Sequence, residues 1–457
     1  MFKTAHSKLT LLLLVTAMLF LSGFGCRVNQ EQEQAKLPPE NLEWWGVWYD
    51  TSDTAPLIDA YQKVYPHVAV HYRKLREEEY EQKMLEALAE DRGPDIFTIP
   101  STGIQQYKKR IAPLSETTAV SFRPRNEKGE LQKIITQTTP SLTVRDLRAN
   151  FAPLIKNDVL LEGKIWGLPL SVNVMALYYN KQLLDESELY DPPANWSEFT
   201  VHVKKLTKIE TDGTITQSGA SLGAASNIPQ APDILALLMM QTGVKMLGQS
   251  GAVFQKEVEE ASGTYNPGLA ALKFYTDFAN PSKGIYTWNE TLPPALSAFE
   301  QGKTAFFIGY NYHLPLLKRD AFGVDFGIAA IPQPAGSTAT INIANYWVET
   351  VSAKSAHKDR AWHFLQFASS EKNASQLIQA KSASIPVLKS LLNTPPKDGA
   401  MKIFYTSALT AESWYRGKNY SAAQGALNEM ITTTLKGDAT AQEALDFGAQ
   451  KVSQTLY

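Results

Sequence analysis

The feature that most constrains the fold of this chain is an alternation of short β-prone runs with amphipathic helical stretches. The β-prone run EWWGVWY at Glu43–Tyr49 precedes a helical pattern over Ala55–Tyr65 and a second β-prone run at Val68–Tyr72. A further helix is predicted over Glu77–Glu90 and a third strand over Asp95–Ile99. Strands that alternate with helices form sheets with parallel strands and helical covers. The pattern therefore predicts an α/β fold.

The same alternation restarts in the second part of the chain. Strands are predicted at Val174–Tyr179, Thr304–Ile308 and Asp325–Ile331, and an apolar buried helix at Ile234–Thr242. A chain of 457 residues has room for two or three domains, and no low-complexity linker separates the two parts. Two α/β units side by side predict two lobes packed face to face. Ligands then favour the crevice at the carboxyl ends of the strands, between the lobes.

The N-terminal segment has the layout of a secretory signal peptide. Lys3 and Lys8 precede an almost wholly apolar run over Leu9–Leu21, and small residues lead to Cys26. We predict a signal peptide over residues 1–25 and a flexible tether over 26–40, since the chain turns polar at once after the cysteine. No later stretch reaches the roughly 18 apolar residues that a membrane-spanning helix needs.

Cys26 is the only cysteine, so it cannot form an internal disulfide. The segment resembles the lipobox of bacterial lipoproteins, in which a signal peptidase cuts before a diacylated cysteine. Gly25 fits the small position before the cysteine, whereas Gly23 stands where the family usually has Leu. The resemblance implies that Cys26 carries fatty acids such as palmitate and anchors the protein to a membrane. Simple secretion and a buried or reactive thiol are the alternatives.

Charge and motifs exclude several classes of function. The formal net charge is −2, so the composition offers no basic surface for nucleic acid. The sequence contains no H-E-x-x-H, no G-x-S-x-G and no paired cysteines, and its seven histidines are scattered. We therefore predict no catalytic residue, no metal site and no cofactor. A pair of glycosidase carboxylates stays open, because spacing along the chain cannot locate one.

The positive signal is aromatic. Nine tryptophans and nineteen tyrosines are many, and several fall at predicted strand ends or in loops. Sugar rings stack their apolar faces on flat aromatics, while their hydroxyls need Asp, Asn or Ser partners; ordinary core packing is the alternative. Trp166, Trp196 and Trp362 lie inside strand or helix patterns and are assigned to the core. The predicted ligand-binding residues of this kind are Trp48, Asp50, Ser171, Asn173, Trp288, Tyr310, Asn311, Asn345, Trp347 and Trp414.

From Glu43 to its C-terminus the chain resembles the family 1 extracellular solute-binding proteins of bacterial ABC importers, the group of maltose-type and other sugar-binding proteins. The sequences GPDIFTIP at 93–100 and GKIWGLPLSVNVMALYYNKQLL at 163–184, in this order after a lipobox, carry the resemblance. It implies a two-lobed, Venus-flytrap fold in which each lobe is a mixed sheet flanked by helices. The implied lobes are 41–170 plus 340–385 and 171–339 plus 386–457.

The resemblance also implies a function without catalysis. Such a protein traps a solute by hinge closure and delivers it to a membrane permease, which makes the permease subunits its partners. The expected solute is a sugar or oligosaccharide, and the protein is expected to be an extracytoplasmic, lipid-anchored monomer. A polyamine, a sugar phosphate or a peptide is the alternative solute. A tethered glycan-active enzyme and a non-transport surface binding protein are the alternative functions.

Positions that match the family's ligand-binding loops add Ser101 to the predicted site and include several residues already predicted. The chain crosses between lobes more than once in this family, near Ser171–Val174, before the Tyr346 strand and near Pro386. The positions of this sequence that match the family's site loops are Trp48, Asp50, Ser101, Ser171, Tyr310, Trp347 and Trp414.

The lipid prediction is tested by removing the thiol. We expect Cys26→Ser to release the protein from membranes or to leave the precursor unprocessed, because the acyl chains have no other attachment point. Fractionation of cells followed by mass measurement of the product checks this. Membrane retention at the normal mature size would refute lipidation.

Overall fold

The computed structural model describes residues 37–124, 126–260 and 263–457. Cys26, the predicted signal peptide and most of the predicted tether lie outside the described residues. Two large sheets organise the chain, and each is covered by helices. The first sheet has the strand order Val68–Lys74, Glu40–Gly46, Ile96–Pro100, Trp347–Ser352, Ile111–Ala112. Its first three strands are parallel, and Trp347–Ser352 pairs antiparallel with Ile96–Pro100 and with Ile111–Ala112, so the sheet is mixed.

The second sheet is built around one long central strand, Asn173–Asn180. This strand pairs antiparallel with Thr304–Tyr310, with Phe326–Ala329 and with Asn342–Asn345. The strands Lys208–Ile209 and Ile215–Ala220 extend the sheet at one side, and Ala411–Glu412 at the other. Three two-stranded sheets join Thr117–Phe122 to Ile135–Pro140, Leu160–Leu161 to Lys164–Ile165, and Val258–Glu260 to Gly263–Tyr265.

Helices cover both sheets, which gives the two-lobed α/β architecture that the sequence predicts. We call the first sheet and its helices the first lobe, and the second sheet and its helices the second lobe. The helices of the first lobe are Thr51–Val64, Glu77–Ala89, Ile104–Tyr107, Val144–Asn150, Ile155–Val159, Lys358–Ala368 and Glu371–Ala380. Those of the second lobe are Lys181–Glu186, Trp196–Leu206, Ala231–Gln241, Pro267–Asp277, Ala295–Glu300, His313–Asp320, Gly399–Ala408, Tyr420–Lys436 and Ala441–Gln454. A short helix, Lys389–Leu392, packs against helices of both lobes. Within the described residues, no helix is long and apolar enough to cross a membrane.

The first strand lies three residues earlier than its sequence pattern predicts. It runs over Glu40–Gly46 and pairs residue by residue with Val68–Lys74, so the predicted end at Tyr49 is wrong. Gly46 is the last residue of the strand, and the position requires glycine because a Cβ there would lie 2.9 Å from the Tyr72 hydroxyl and from Thr98 Oγ1. Trp48 and Tyr49 therefore belong to the loop that follows the strand, at the edge that faces the second lobe.

The chain changes lobes over very short segments. Asn345 pairs with the second sheet, whereas Trp347 pairs with Pro100 of the first sheet, so Tyr346 is the crossing residue. Another crossing precedes Asn173: Leu168 still pairs with Glu349 of the first lobe, and the central strand of the second sheet begins five residues later. The predicted lobe boundary at residue 340 lies one strand before Tyr346, and the predicted domain boundaries as a whole stay a prediction.

A carboxyl group is buried in the first sheet, and no cation among the described residues pairs with it. Glu349 is 2% exposed, and its Oε2 accepts hydrogen bonds from Trp44 Nε1 at 2.8 Å and from Thr98 Oγ1 at 2.7 Å. Burial raises the pKa of Glu349 to about 7, although the two donors work in the opposite direction. The folded protein therefore holds this proton more tightly than the unfolded chain does.

Glu349→Gln isolates this effect, because Gln keeps one oxygen that can accept from both donors. Since the native pKa of about 7 exceeds the ordinary 4.5, the wild-type free energy of unfolding should fall as pH rises between these values, by up to about 3 kcal/mol. We expect the variant to lack this component. Urea unfolding of both proteins at about pH 5 and about pH 8 measures the difference. The same pH dependence in both proteins would show that Glu349 does not hold the proton.

Candidate functional site

The site lies where the carboxyl ends of strands from both lobes meet. The loop after Glu40–Gly46 supplies Trp48 from the first lobe, and the loop after Thr304–Tyr310 supplies Tyr312 from the second. The two rings contact each other edge to face, with centroids 6.0 Å apart and planes at 73°. Carboxyl ends of strands are the usual place for a ligand in an α/β protein. This contact therefore marks the crevice between the lobes, as the sequence predicts.

Trp48 contacts the cation of Lys381 as well as the aromatic ring of Tyr312. The Lys381 ammonium lies 5.0 Å from the centroid of the indole, within the range of a cation–π interaction. Lys381 Nζ is also 3.6 Å from Asp53 Oδ2. The indole Nε1 of Trp48 is buried without a hydrogen-bond acceptor among the described residues. Trp48 thus has a free donor on a ring that is only partly buried.

Asp233 organises the aromatic side chains of the second lobe. It lies in the first turn of Ala231–Gln241, a helix whose residues are all buried. Its Oδ1 accepts from Trp414 Nε1 at 2.8 Å and from the Tyr420 hydroxyl at 3.0 Å, and its Oδ2 accepts from the Tyr310 hydroxyl at 2.7 Å. Burial raises the pKa of Asp233, against the effect of the three donors.

The aromatic side chains that Asp233 holds continue to the crevice. The Tyr310 ring stacks on Tyr312 with centroids 5.4 Å apart and planes at 20°, and Tyr312 contacts Trp48 of the first lobe. Trp414 packs on Tyr420 with centroids 5.5 Å apart. We call Tyr310, Tyr312, Trp414 and Tyr420 the aromatic wall. One carboxylate thus fixes three of its four side chains.

Amide side chains connect the crossing segments below this wall. Asn173 Nδ2 donates to Asn345 Oδ1 at 3.1 Å, and Asn311 Nδ2 donates to the Ala383 carbonyl at 2.8 Å. Asn311 Oδ1 accepts from the backbone N–H of Val174 at 2.8 Å. These asparagines therefore tie together the segments by which the chain passes between lobes.

Ion pairs balance the carboxylates at the first-lobe side of the crevice. Asp50 begins the helix Thr51–Val64, and its Oδ1 accepts from Lys74 Nζ at 2.6 Å. This hydrogen bond lowers the pKa of Asp50. Asp53 lies beside Lys381, as described above. Within the described residues, no group of three or more His, Cys, Asp or Glu side chains is placed to hold a metal ion.

Comparison with known proteins agrees with this architecture. The family model of the bacterial extracellular solute-binding proteins matches residues 56–403, well over half of the chain. The chain belongs to this family. The family resemblance that the sequence predicts is thereby confirmed, and membership implies an extracytoplasmic location.

Individual relatives are distant. A galactooligosaccharide-binding protein of Bacillus subtilis is 24% identical over 381 residues, which cover 78% of this chain and 76% of that protein. Binding proteins of Brucella abortus are also 24% identical, but the match covers 49% of this chain and only about half, 51%, of their own length. The crystal structure of the cyclic α-maltosyl-1,6-maltose binding protein from Arthrobacter globiformis superposes with a TM-score of 0.69 at 18% identity, covering 92% of this chain and 99% of that one. At this identity the structural match shows the shared two-lobed fold.

The structure of this solute-binding protein places the predicted site residues in three settings. Trp48 and Asp50 lie in the loop at the crevice, and Ser101 and Trp347 lie near the Tyr346 crossing, where Ser101 N–H donates to the Tyr346 carbonyl at 2.9 Å. Tyr310 and Trp414 belong to the aromatic wall and are nearly fully buried. The amides of Asn173, Asn311 and Asn345 make hydrogen bonds to the crossing segments, whereas Ser171 accepts a hydrogen bond from the hydroxyl of Tyr49 in the loop after the first strand.

Trp288 stands apart from these groups. Its side chain is 0% exposed, and its Nε1 donates to Asn227 Oδ1 at 2.9 Å. A role in ligand binding stays a prediction for Trp288, as it does for the other ten residues. The core assignments of Trp166, Trp196 and Trp362 are confirmed, since all three are buried.

Sequence reasoning missed Tyr312, Tyr420, Lys381 and Asp233. Tyr312 belongs to the motif Tyr310-Asn311-Tyr312, but only the first two residues of this motif were predicted to bind a ligand. Asp233 precedes the apolar run of a buried helix, and no local pattern distinguishes it from a solvated carboxylate at a helix N-terminus. Its three donors come from 77, 181 and 187 residues away along the chain.

Two substitutions of Asp233 test whether it fixes the wall. In Asp233→Asn the amide oxygen can keep Trp414 and Tyr420, and the amide nitrogen can donate to the Tyr310 oxygen, so we expect a loss of about 1 kcal/mol or less in the free energy of unfolding. Asp233→Leu leaves three buried donors without an acceptor, and we expect a loss of at least about 2 kcal/mol. Denaturant unfolding gives both values. Equal losses for the two variants would contradict the hydrogen-bonding role.

Proposed function

We propose that this solute-binding protein captures a sugar or oligosaccharide in the crevice between its lobes and delivers it to an ABC permease. The observation that carries the proposal is the meeting of Trp48 with the aromatic wall across the crevice. Flat aromatic faces bind the apolar faces of sugar rings, and asparagine amides and the Trp48 N–H offer hydrogen bonds to hydroxyls. Capture requires no bond cleavage, so the protein acts as a binder and not as an enzyme.

The charges at the crevice support an uncharged solute. The carboxylates of Asp50 and Asp53 each lie beside a lysine, at 2.6 and 3.6 Å. Asp233 has all its hydrogen bonds from neutral groups. A polyamine would need unpaired carboxylates, and a sugar phosphate would need unpaired cations. The printed names of relatives, a galactooligosaccharide-binding protein and a cyclic α-maltosyl-1,6-maltose binding protein, agree with a carbohydrate.

Hinge closure is the mechanism that this geometry supports. Trp48 and Tyr312 belong to different lobes, so a solute that contacts both binds the closed form more tightly than the open form. Such a solute shifts the equilibrium towards closure by the difference between these affinities. The permease would then distinguish the loaded protein by its closed shape.

A lipid on Cys26 would keep the protein near its permease. The predicted tether of roughly 15 residues reaches about 20 Å as a random coil. The described chain begins at Leu37 and enters the first lobe at Glu40, so the first lobe would be the lobe nearer the anchor.

Thermal-shift screening of residues 27–457 tests the proposed function. We expect at least one mono- or oligosaccharide to raise the melting temperature without being hydrolysed, because binding to the folded state alone stabilises it. Polyamines, glycerol phosphates and peptides complete the panel. Stabilisation by a polyamine and by no sugar would refute the carbohydrate assignment, and turnover of a sugar would favour the enzyme.

Trp48→Ala links that result to the crevice. We expect the affinity for the stabilising sugar to fall about tenfold or more, because a stacking face and a donor are lost. Tyr190→Ala is the matched control, since Tyr190 is an aromatic residue that is 79% exposed. Calorimetric titration measures both variants. Unchanged affinity in Trp48→Ala would place the sugar elsewhere.

A further inference from the structure

A second buried aspartate joins the two lobes. Asp158 belongs to the first-lobe helix Ile155–Val159, which packs on the short helical turn Ser101–Gly103. The chain after this helix is fixed to the same lobe, since Leu114 N–H donates to the Ile165 carbonyl at 2.8 Å. The Asp158 side chain is only 1% exposed. Its carboxylate is nevertheless surrounded by donors that come from elsewhere.

Two of these donors belong to the second lobe and one to a crossing residue. Ser413 Oγ donates to Asp158 Oδ2 at 2.6 Å, and Arg416 Nε donates to Oδ1 at 2.8 Å. Both residues follow the strand Ala411–Glu412, which pairs with Asn342 and Ile343 in the second sheet. The hydroxyl of Tyr346, the crossing residue, donates to Oδ2 at 2.6 Å.

The same short loop is held by the second lobe's own aspartate. Trp414, between Ser413 and Arg416, donates its indole N–H to Asp233 at 2.8 Å. Loop 413–416 is therefore bound by Asp158 from the first lobe and by Asp233 from the second. A member of the aromatic wall lies between these two attachments.

We propose that Asp158 and Arg416 form a closure contact that stabilises the closed form of the protein and positions Trp414 against the solute. The solute-positioning part rests on the proposed function. The contact joins groups on different lobes, so opening of the crevice separates Arg416 from Asp158 and returns the carboxylate to water. Closing removes that water, and the donors of the second lobe replace it.

The physical consequence of losing Arg416 has a definite sign. A carboxylate buried without its cation is strongly unfavourable, whereas the same carboxylate in water is not. Burial already raises the pKa of Asp158 above its ordinary value, in spite of Arg416 and the two hydroxyls. Removal of the guanidinium therefore destabilises the closed form and leaves the open form nearly unchanged.

The test measures lobe separation and affinity separately. The protein used is residues 27–457, which contains no natural cysteine. Glu90→Cys on the first lobe and Phe322→Cys on the second introduce two exposed thiols, and a dye is attached to each. Energy transfer between the dyes reports the open and closed populations with and without the sugar that stabilises the protein. Arg416→Met removes the closure contact, and Lys418→Met is the matched control, because it removes an exposed positive charge two residues away.

We expect Arg416→Met to lower the closed population and to weaken sugar affinity at least tenfold, with the melting temperature of the ligand-free protein nearly unchanged. Lys418→Met should match the wild type in all three measurements. Unchanged dye distances in Arg416→Met would overturn the proposal. The melting temperature of the ligand-free variant could also fall by as much as that of its sugar complex. That result would overturn the proposal too, because the contact would then exist in the open form as well. If no solute binds the wild-type chain, the proposed function fails, while single-molecule energy transfer without solute still tests the closure contact: the small closed fraction should fall in Arg416→Met and not in Lys418→Met, and an equal closed fraction in both would overturn the contact.

Discussion

The change of sheet at Tyr346 is the constraint on which the rest of the structure depends. One residue separates a strand of the second sheet from a strand of the first, so the two sheets cannot drift apart at this point. The crossing before Asn173 is a second connection at the same edge of the sheets. The two crossings are joined by the hydrogen bond from Asn173 to Asn345. The crevice lies at this edge because both sheets present the carboxyl ends of strands there.

Two buried aspartates are arranged around this edge with different tasks. Asp233 belongs to the second lobe and binds only second-lobe side chains, so its three hydrogen bonds within the aromatic wall do not involve first-lobe groups. Asp158 belongs to the first lobe and binds groups that the hinge can move. Loop 413–416 binds both aspartates. A movement of the first lobe therefore acts on Trp414 of the second lobe.

Local pattern was sufficient for most elements and insufficient for the contacts between them. The helix Ala231–Gln241 and the strand Thr304–Tyr310 were predictable because apolar runs of these lengths have few other solutions. The end of the first strand was not, because it follows from the pairing of Glu40–Gly46 with Val68–Lys74 and not from the β-prone residues after Gly46. Glu349 and Asp158 were invisible for the same reason: their partners are up to 305 and 258 residues away. Aromatic residues predicted at strand ends include Trp48, which contacts Tyr312 of the second lobe, and Trp288, which is fully buried, so composition alone does not separate a crevice residue from a packed one.

The full hydrogen bonding of Asp233 affects how substitutions can change the solute specificity of this protein. Both of its oxygens are occupied, so a change in one ring of the wall disturbs the anchor of the others. The side chains of the loop Trp48–Asp50 bind different neighbours: Trp48 contacts Lys381 and Tyr312, the Tyr49 hydroxyl donates to Ser171, and Asp50 accepts from Lys74. The two faces of the crevice therefore differ in how a substitution acts: three rings of the aromatic wall depend on one shared carboxylate, whereas the side chains of the loop Trp48–Asp50 have separate partners.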